Sequence, residues 1–570
     1  MRKSLKAICQ ISWAIDSGDL VYIPLLRKTK EILQRIFLER NTQILLIIFV
    51  LALFLRLLCL GMNPLVGLAI PDVIRILILG ENLSQGLGYT LFDHPEEKVP
   101  PIYPLIICGA YLLGGVNYQS VIIPSIIIGS LTVIPVYLLG KQLSNDLSGL
   151  IAALFVAVNP VLWLFSGIPM TETIFVFFTL FALYFLSLEK EFRNQFMGGV
   201  FIGLAFLSRY AGILILFAVI FTLIFDIIKR KYNRDLLIGF TWIIIGFLIA
   251  TFPWFLRNTL VFGTPMGIGF LELWRDPVAG GVSSQYSGIS MIEYFQTHSA
   301  LEIISRPFEG LIFYTAVSVF AVPITILVFA IPGVYFLGIK EKSYLFYVYF
   351  ILHLLFYAWF PSRLPRYFMP LIPLISLLAG ISIARFYNSK VNWDFFVLKR
   401  IEFSRILGGL SLITIVSINI YSILLLSSLT AANPTFSLNM IEPLTNTNNR
   451  IETQLIEFGV IPSPATEEYV KAAAWLKENA FSEAVVIARK PLVFYYFSRL
   501  KVLGFPKFHL NQTLEYAIVK SNVSYIVLDS MESDSREYLP DLYFETDIPS
   551  NFKLIYKVEN PRTLIYYIEY

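Results

Sequence analysis

Eleven segments of this chain, each long and almost free of charge, decide what it can become. They lie at about 43–61, 120–140, 147–165, 171–188, 196–210, 211–228, 235–255, 310–337, 343–360, 366–385 and 406–428. About 20 consecutive apolar residues let a helix cross a bilayer, so the expectation is an all-α polytopic membrane domain of about eleven transmembrane helices. A further apolar run, 102–116, has only 15 residues. That length suits either a crossing or an element lying in the interface.

Charge chooses between the two. If 102–116 does not cross, the basic N-terminus and the loops with Lys141, Lys190 and Arg193, Lys229-Arg230-Lys231, Lys340 and Lys342, and Arg385 to Arg405 share one side. The positive-inside rule makes that side the cytoplasm. The loop 62–119, the turns at Gly167 to Glu172, Arg209 and Pro361 to Arg366, the loop 256–309 and the tail then lie together outside. The expected organisation is a cytoplasmic segment at 1–42, a transmembrane domain at 43–429 and an external domain at 430–570. The apolar run starting near Gln43 has no small-residue cleavage site after it, so it reads as an anchor in the cell membrane.

Other classes fall away on composition. Only 15% of the 570 residues are charged, against about 25% for soluble domains. A net charge of +4, spread over short loops, gives no basis for a nucleic-acid partner. Cys9, Cys59 and Cys108 are too scattered for a disulfide framework or zinc site and read as inert thiols. His94, His298, His353 and His509 are equally dispersed, so neither a metal nor another cofactor is expected. No phosphate-binding Gly-rich loop ending in Lys-Ser or Lys-Thr occurs, which removes the signature of an ATP-driven pump.

The tail differs in composition, with helix and strand signals alternating. Helices are expected at Thr466 to Asn479, with Thr466 as N-cap, and at Thr513 to Lys520. Strands are expected at Ala484 to Ala488, Tyr525 to Leu528, Phe552 to Val558 and Thr563 to Tyr567. This is the pattern of a small soluble α/β domain, joined through a linker around Asn446 to Asn449.

Chemistry is expected in the first long polar interruption, Asp72 to Tyr103, with its Gly86 and Gly88 turn, the cluster Asp93, His94, Glu96, Glu97 and Lys98, and the rigid Pro100-Pro101-Ile102-Tyr103-Pro104 exit. Asp72 and Glu172 are lone acids at membrane boundaries, where a carboxylate is costly unless solvated or used. Each can be read as a helix cap or as a catalyst. Together they could divide proton acceptance and substrate orientation. Lys98, Arg209, Arg257 and Arg366 stand on the expected outer face, against the positive-inside trend. A phosphate at headgroup level would account for them, and interfacial snorkelling is the plainer alternative. Tyr103, Tyr210, Trp254 and Tyr367 beside them read as belt residues or as surfaces for sugar rings.

In order and position these stretches resemble the polytopic lipid-phosphate-sugar-dependent glycosyltransferases with the GT-C fold: protein O-mannosyltransferases, lipid A aminoarabinose transferases and lipopolysaccharide-core transferases. The residues that carry the resemblance are Asp72, Asn82-Leu-Ser-Gln-Gly86-Leu-Gly88-Tyr89, Lys98-Val-Pro-Pro-Ile-Tyr103-Pro104, Pro169-Met-Thr-Glu172, Gly203-Leu-Ala-Phe-Leu-Ser-Arg209-Tyr210, Pro253-Trp254-Phe-Leu-Arg257-Asn258 and Arg366-Tyr367-Phe-Met-Pro370. The resemblance implies a polyprenyl- or dolichyl-monophosphate sugar as donor and a glycan, lipid or protein acceptor. It implies inverting transfer outside the membrane, with Asp72 as base. Lys98 and Arg366 would hold the donor phosphate, with Arg257 and Arg209 as further candidates. Many members have Asp-Glu where this chain has Asp72-Val73. The main rival reading is a transporter or flippase of lipid-linked glycans, which would show repeats and ionisable groups buried within spans. A silent scaffold is a third.

Overall fold

The computed structural model describes residues 39–266 apart from 69, 93, 190 and 230–233, residues 296–388 apart from 297, 340, 361 and 362, and residues 403–430, 463–505, 518–531 and 539–569. The expectations for the N-terminal segment, Asp93, Lys190, Arg230, Lys231, Lys340, most of the Arg385 to Arg405 loop, the Asn446 to Asn449 linker and most of the Thr513 to Lys520 helix lie outside these residues.

Seven described helices are long and apolar enough to cross a membrane: Arg40–Gly61, Tyr118–Leu143, Tyr210–Ile228, Arg234–Phe262, Ala300–Ala321, Pro365–Asn388 and Gly408–Ser427. The segments expected at 147–165, 171–188 and 343–360 form shorter apolar helices, Asp146–Ala157, Thr171–Ser187 and Ser343–Trp359, and that at 196–210 forms Phe192–Ser208. Two expected spans are interrupted. At 147–165, Asn159 starts a new turn, accepting from Leu162 N at 2.9 Å, and Pro160 takes its first position. At 310–337, Pro323 lacks the N–H that would continue the Ala300–Ala321 helix, and Ile324–Leu337 begins afresh.

Two contacts place the ends of these helices. Phe192–Ser208 and Arg234–Phe262 meet backbone to backbone through small residues: a Cβ on Gly199 would lie 2.0 Å from the Ile243 carbonyl oxygen, and one on Gly246 would lie 2.2 Å from that of Phe196. Packing of this kind stands in for the hydrophobic drive that lipid does not supply. The pair brings Arg209 and Trp254 to one end of the bundle, where Trp254 Nε1 donates to the Tyr210 hydroxyl at 3.3 Å. The second contact is Arg56, only 1% exposed. It donates to Ala157 O at 3.0 Å, to Val156 O at 3.3 Å and to the Ser166 hydroxyl at 3.1 Å. A cation on the C-terminal carbonyls of Asp146–Ala157 matches the helix dipole, and it fixes the turn that leads to Glu172.

The 102–116 run forms the helix Ile102–Gly114. Its start follows a loop tied to the 210 and 257 ends of neighbouring helices. After its end, the Tyr118 hydroxyl donates to Gly167 O at 3.1 Å. Both ends therefore sit at the same end of the bundle. A two-residue hairpin, β1 (Thr90–Leu91) and β2 (His94–Pro95), folds the loop before it.

The tail is a five-stranded mixed sheet in the order β4-β3-β5-β7-β6, with β3 Val485–Ile487, β4 Lys501–Leu503, β5 Val523–Asp529, β6 Phe552–Glu559 and β7 Arg562–Ile568. β3 is parallel to β4 and β5, while β7 is antiparallel to β5 and β6. The α/β expectation holds, with one correction. The first helix is Pro464–Asn479 and its N-cap is Ser463, not Thr466, because Pro464 fits the first helical position. β4 and the helix Pro491–Ser498 were not expected. That helix docks the tail on the first loop: Tyr495 meets Phe92 edge-on at 4.9 Å, and Arg499 reaches Glu81 at 3.2 Å.

Candidate active site

Asp72 and Glu172 occupy the same place in two different helices. Each is the second residue, of Pro71–Ser84 and Thr171–Ser187, and neither helix has a side-chain N-cap. Both carboxylates are thus favoured by a helix N-terminus, and both turn to the same arginine. Arg366 stands in the 3-10 turn Pro365–Leu371. Its Nη2 donates to Asp72 Oδ2 at 2.5 Å, and its Nε lies 3.4 Å from Glu172 Oε1. Arg209, in the extended residue that ends Phe192–Ser208, donates through Nη1 to Glu172 Oε1 at 2.5 Å and to the Thr171 hydroxyl at 3.2 Å.

Two acids and two arginines thus form one charge-balanced cluster, and Tyr367 lies under it. The Arg209 and Arg366 guanidinium carbons are 5.3 Å and 5.7 Å from its ring centre. Tyr357 stacks on the same ring at 4.5 Å. The Tyr367 carbonyl is in hydrogen-bond contact with His353 Nε2 at 2.9 Å.

The acids differ in exposure. The Glu172 side chain is 2% exposed, Arg366 14%, Arg209 19% and Asp72 58%. Glu172, expected as a second catalytic acid, is buried and lies against two guanidinium groups, those of Arg209 and Arg366. Asp72 lies at the open side of the cluster. Partial burial disfavours its charged form, but Arg366 beside it, with Arg75 and Arg209 farther off, outweighs this and holds its carboxyl below the ordinary aspartate range. It is ionised at neutral pH.

The other expected residues are placed differently. Arg257 is committed to the first loop: Nη1 donates to Glu96 O at 2.7 Å and Nη2 to Tyr89 O at 3.3 Å, with the guanidinium 5.0 Å from the Trp254 ring. It holds the loop's backbone rather than joining Asp72. The Tyr210 hydroxyl donates to Glu97 O at 2.6 Å, adding a second tie. Lys98 is half-buried in that loop, its backbone N–H donating to Glu96 Oε1 at 2.6 Å. Tyr103, expected against the substrate, is fully buried and shares a short hydrogen bond with Ser125. It packs beneath the site because the Pro-rich exit turns it inward.

One residue escaped sequence reasoning. Arg75 follows Asp72 by three, a spacing that puts both on one helix face. Its Nη1 is 3.9 Å from Glu96 Oε2. Glu96, only 9% exposed in its side chain, ties the loop by accepting from two backbone N–H groups. The signal for Arg75 was legible in Asp-Val-Ile-Arg. Among the described residues no group of three or more His, Cys, Asp or Glu could hold a metal ion. A separate groove at the far end of the bundle, lined by Gln195, Thr222, Asp226, Asp235 and Tyr344, is remote from the cluster.

Residues 98–256 match the family of dolichyl-phosphate-mannose-protein mannosyltransferases. No curated protein sequence matches the chain. Among solved structures, the chain is similar to ArnT from Cupriavidus metallidurans bound to undecaprenyl phosphate, at 13% identity and a TM-score of 0.54, over 92% of this chain and 97% of that one. It is also similar to the archaeal oligosaccharyltransferase AglB from Archaeoglobus fulgidus in complex with an inhibitory peptide and a dolichol-phosphate, at 13% identity and a TM-score of 0.56, over 93% and 74% of the two chains. AglB tethered to an acceptor peptide matches at 14% identity with the same TM-score and coverage. At these identities the likeness is one of fold: this integral membrane protein has the GT-C fold expected from its sequence.

Proposed function

We propose that the chain is a membrane glycosyltransferase that moves a sugar from a polyprenyl- or dolichyl-monophosphate donor to an acceptor on the extracytoplasmic face, with Asp72 as general base. The observation that carries this reading is the pairing of an exposed, ionised Asp72 with Arg366, at the end of a GT-C bundle whose residues 98–256 match a lipid-phosphate-mannose transferase family. Domain 43–429 would carry the chemistry, with 430–570 as an external domain.

The proposed reaction is a single displacement. The acceptor oxygen forms a bond to the sugar's anomeric carbon from the face opposite the phosphate, while the bond from that carbon to the phosphate oxygen breaks. The acceptor's proton passes to Asp72. The lipid phosphate leaves with the electron pair, and its added negative charge faces Arg366. Lys98 would add a point charge from the loop. Glu172 and Arg209 would keep the Arg366 side chain in place, and Arg257 and Tyr210 would hold the loop that closes the site.

Transfer from a panel of radiolabelled polyprenyl-phosphate sugars, in membranes carrying wild type beside Asp72→Asn, tests the reading. Transfer by wild type, lost in a variant that elutes as a single folded species, supports it. Transfer surviving the substitution removes Asp72 as base. No transfer from any donor favours the transporter reading.

A further inference from the structure

The fork of Arg366 is held unevenly. Nε faces Glu172 at 3.4 Å, inside the cluster, and Glu172 has almost no path to solvent. Among the described residues Nη1 meets only the Met170 thioether sulfur, at 3.7 Å, a weak acceptor. Nη2 holds Asp72, whose side chain is 58% exposed. The Nη1 and Nη2 edge, the one suited to two oxygens of a phosphate, therefore carries one poor partner and one that can swing into water. Swinging out costs Asp72 little solvation, whereas Glu172 could leave only by stranding two half-enclosed cations.

We propose that Asp72 is the exchangeable counter-ion of Arg366, so that a donor's phosphodiester displaces the carboxylate from the Nη edge and frees it to meet the acceptor. This rests on the donor chemistry proposed above and adds a sequence of events to it. Before donor binds, the base is tied to the cation the donor needs. After donor binds, the phosphate neutralises Arg366, and Asp72, no longer paired, is a stronger base for the acceptor's proton. Donor binds first and acceptor second. An acceptor arriving alone finds Asp72 engaged.

The test is a double-mutant cycle on the full-length chain in detergent, with binding of undecaprenyl phosphate read by calorimetry for wild type, Asp72→Asn, Arg366→Gln and the double variant. The amide cannot compete as a carboxylate does, so Asp72→Asn tightens undecaprenyl phosphate on the order of tenfold. On the Arg366→Gln background the same change alters affinity by no more than about twofold. Unchanged or weaker binding by Asp72→Asn overturns the exchange, as does a tightening that persists without Arg366, since that would be a general effect of charge. Failure of wild type to bind undecaprenyl phosphate overturns the proposed donor instead, as does inorganic phosphate binding as tightly as the lipid, which would mark a free-anion site. A measurement on wild type alone guards against misfolded variants. In a structure with undecaprenyl phosphate bound, a phosphate oxygen replaces Asp72 Oδ2 on Arg366, and a retained Asp72–Arg366 hydrogen bond sinks the idea.

Discussion

The helix Pro71–Ser84 carries an acid–arginine pair at each end, and the two are mirror images in exposure. At its start, the acid Asp72 is 58% exposed and its partner Arg366 14%. At its other end the acid Glu81 is 11% exposed and its partner Arg499, from the tail, 39%. The difference shows which member of each pair can leave. Asp72 can part from a cation that the bundle holds still, as chemistry on a bound substrate requires. Arg499 can part from an acid that stays put, as suits a docking contact between two parts of one chain. Under the proposed function, one helix thus has a reactive end and a braced end.

The largest expected break in that contrast is Asp72→Asn, which removes the proposed base and lowers the transfer rate on the order of 10²- to 10⁴-fold, read as kcat in membranes, with the detergent elution profile unchanged. Glu172→Gln comes next and acts through folding. It leaves Arg209 and Arg366 without their buried counter-ion, and loss of one partner of such a network costs about 3 kcal/mol or more. The expected result is a lower unfolding midpoint with or without donor.

A subtler test uses pH. Arg366 lowers the Asp72 carboxyl below the ordinary value of 3.8 in the free protein. The pair's contribution to stability is therefore full at neutral pH, declines progressively as pH falls below the ordinary carboxylate value, and is gone once pH is below the depressed value. Glu172, Arg75 and Arg209 also surround it and do not change on donor binding, whereas a phosphate on Arg366 cancels the nearest positive charge. The acid limb of kcat should then lie at higher pH than that of kcat/KM, which reports the free enzyme. Coincident limbs would equate the bound and free states of Asp72. The smallest effect is expected at the braced end. Arg499→Ala removes a partly exposed ion pair worth less than about 1 kcal/mol, raising KM for acceptor by a small factor and leaving kcat alone. A large fall in kcat would show that the tail reaches the reactive end.

Most of the fold was legible because lipid makes strong demands on sequence. Long apolar runs and strand signals in the tail carry local signatures, whereas the breaks at Asn159-Pro160 and Pro323 were passed over as parts of continuous spans. The site was legible one residue at a time but not as an arrangement. Asp72, Glu172, Arg209 and Arg366 each stood out as charges at span ends, yet nothing local says that Glu172 turns inward onto two arginines while Asp72 stays outside. That depends on how helices distant in sequence are rotated against one another. The ties of Arg257 were out of reach for the same reason: from sequence it is a cation at the surface, and only the fold shows it tied to the Tyr89 and Glu96 carbonyls. Tyr103 was misread because an aromatic after a Pro-rich turn can face either way.

The close approach at Gly199 and Gly246 has a consequence for how this protein tolerates change. A single methyl group at either position would meet a backbone oxygen at 2.0 or 2.2 Å. Backbone cannot step aside as a side chain can, so the two helices would have to spread like shears about a fouled pivot. Their tips carry Arg209 and Tyr210 on one blade and Trp254 and Arg257 on the other, so the first loop would lose its grip on both at once. A neutral-looking alanine deep in the bundle should therefore damage this protein more than many charge changes in the loop itself.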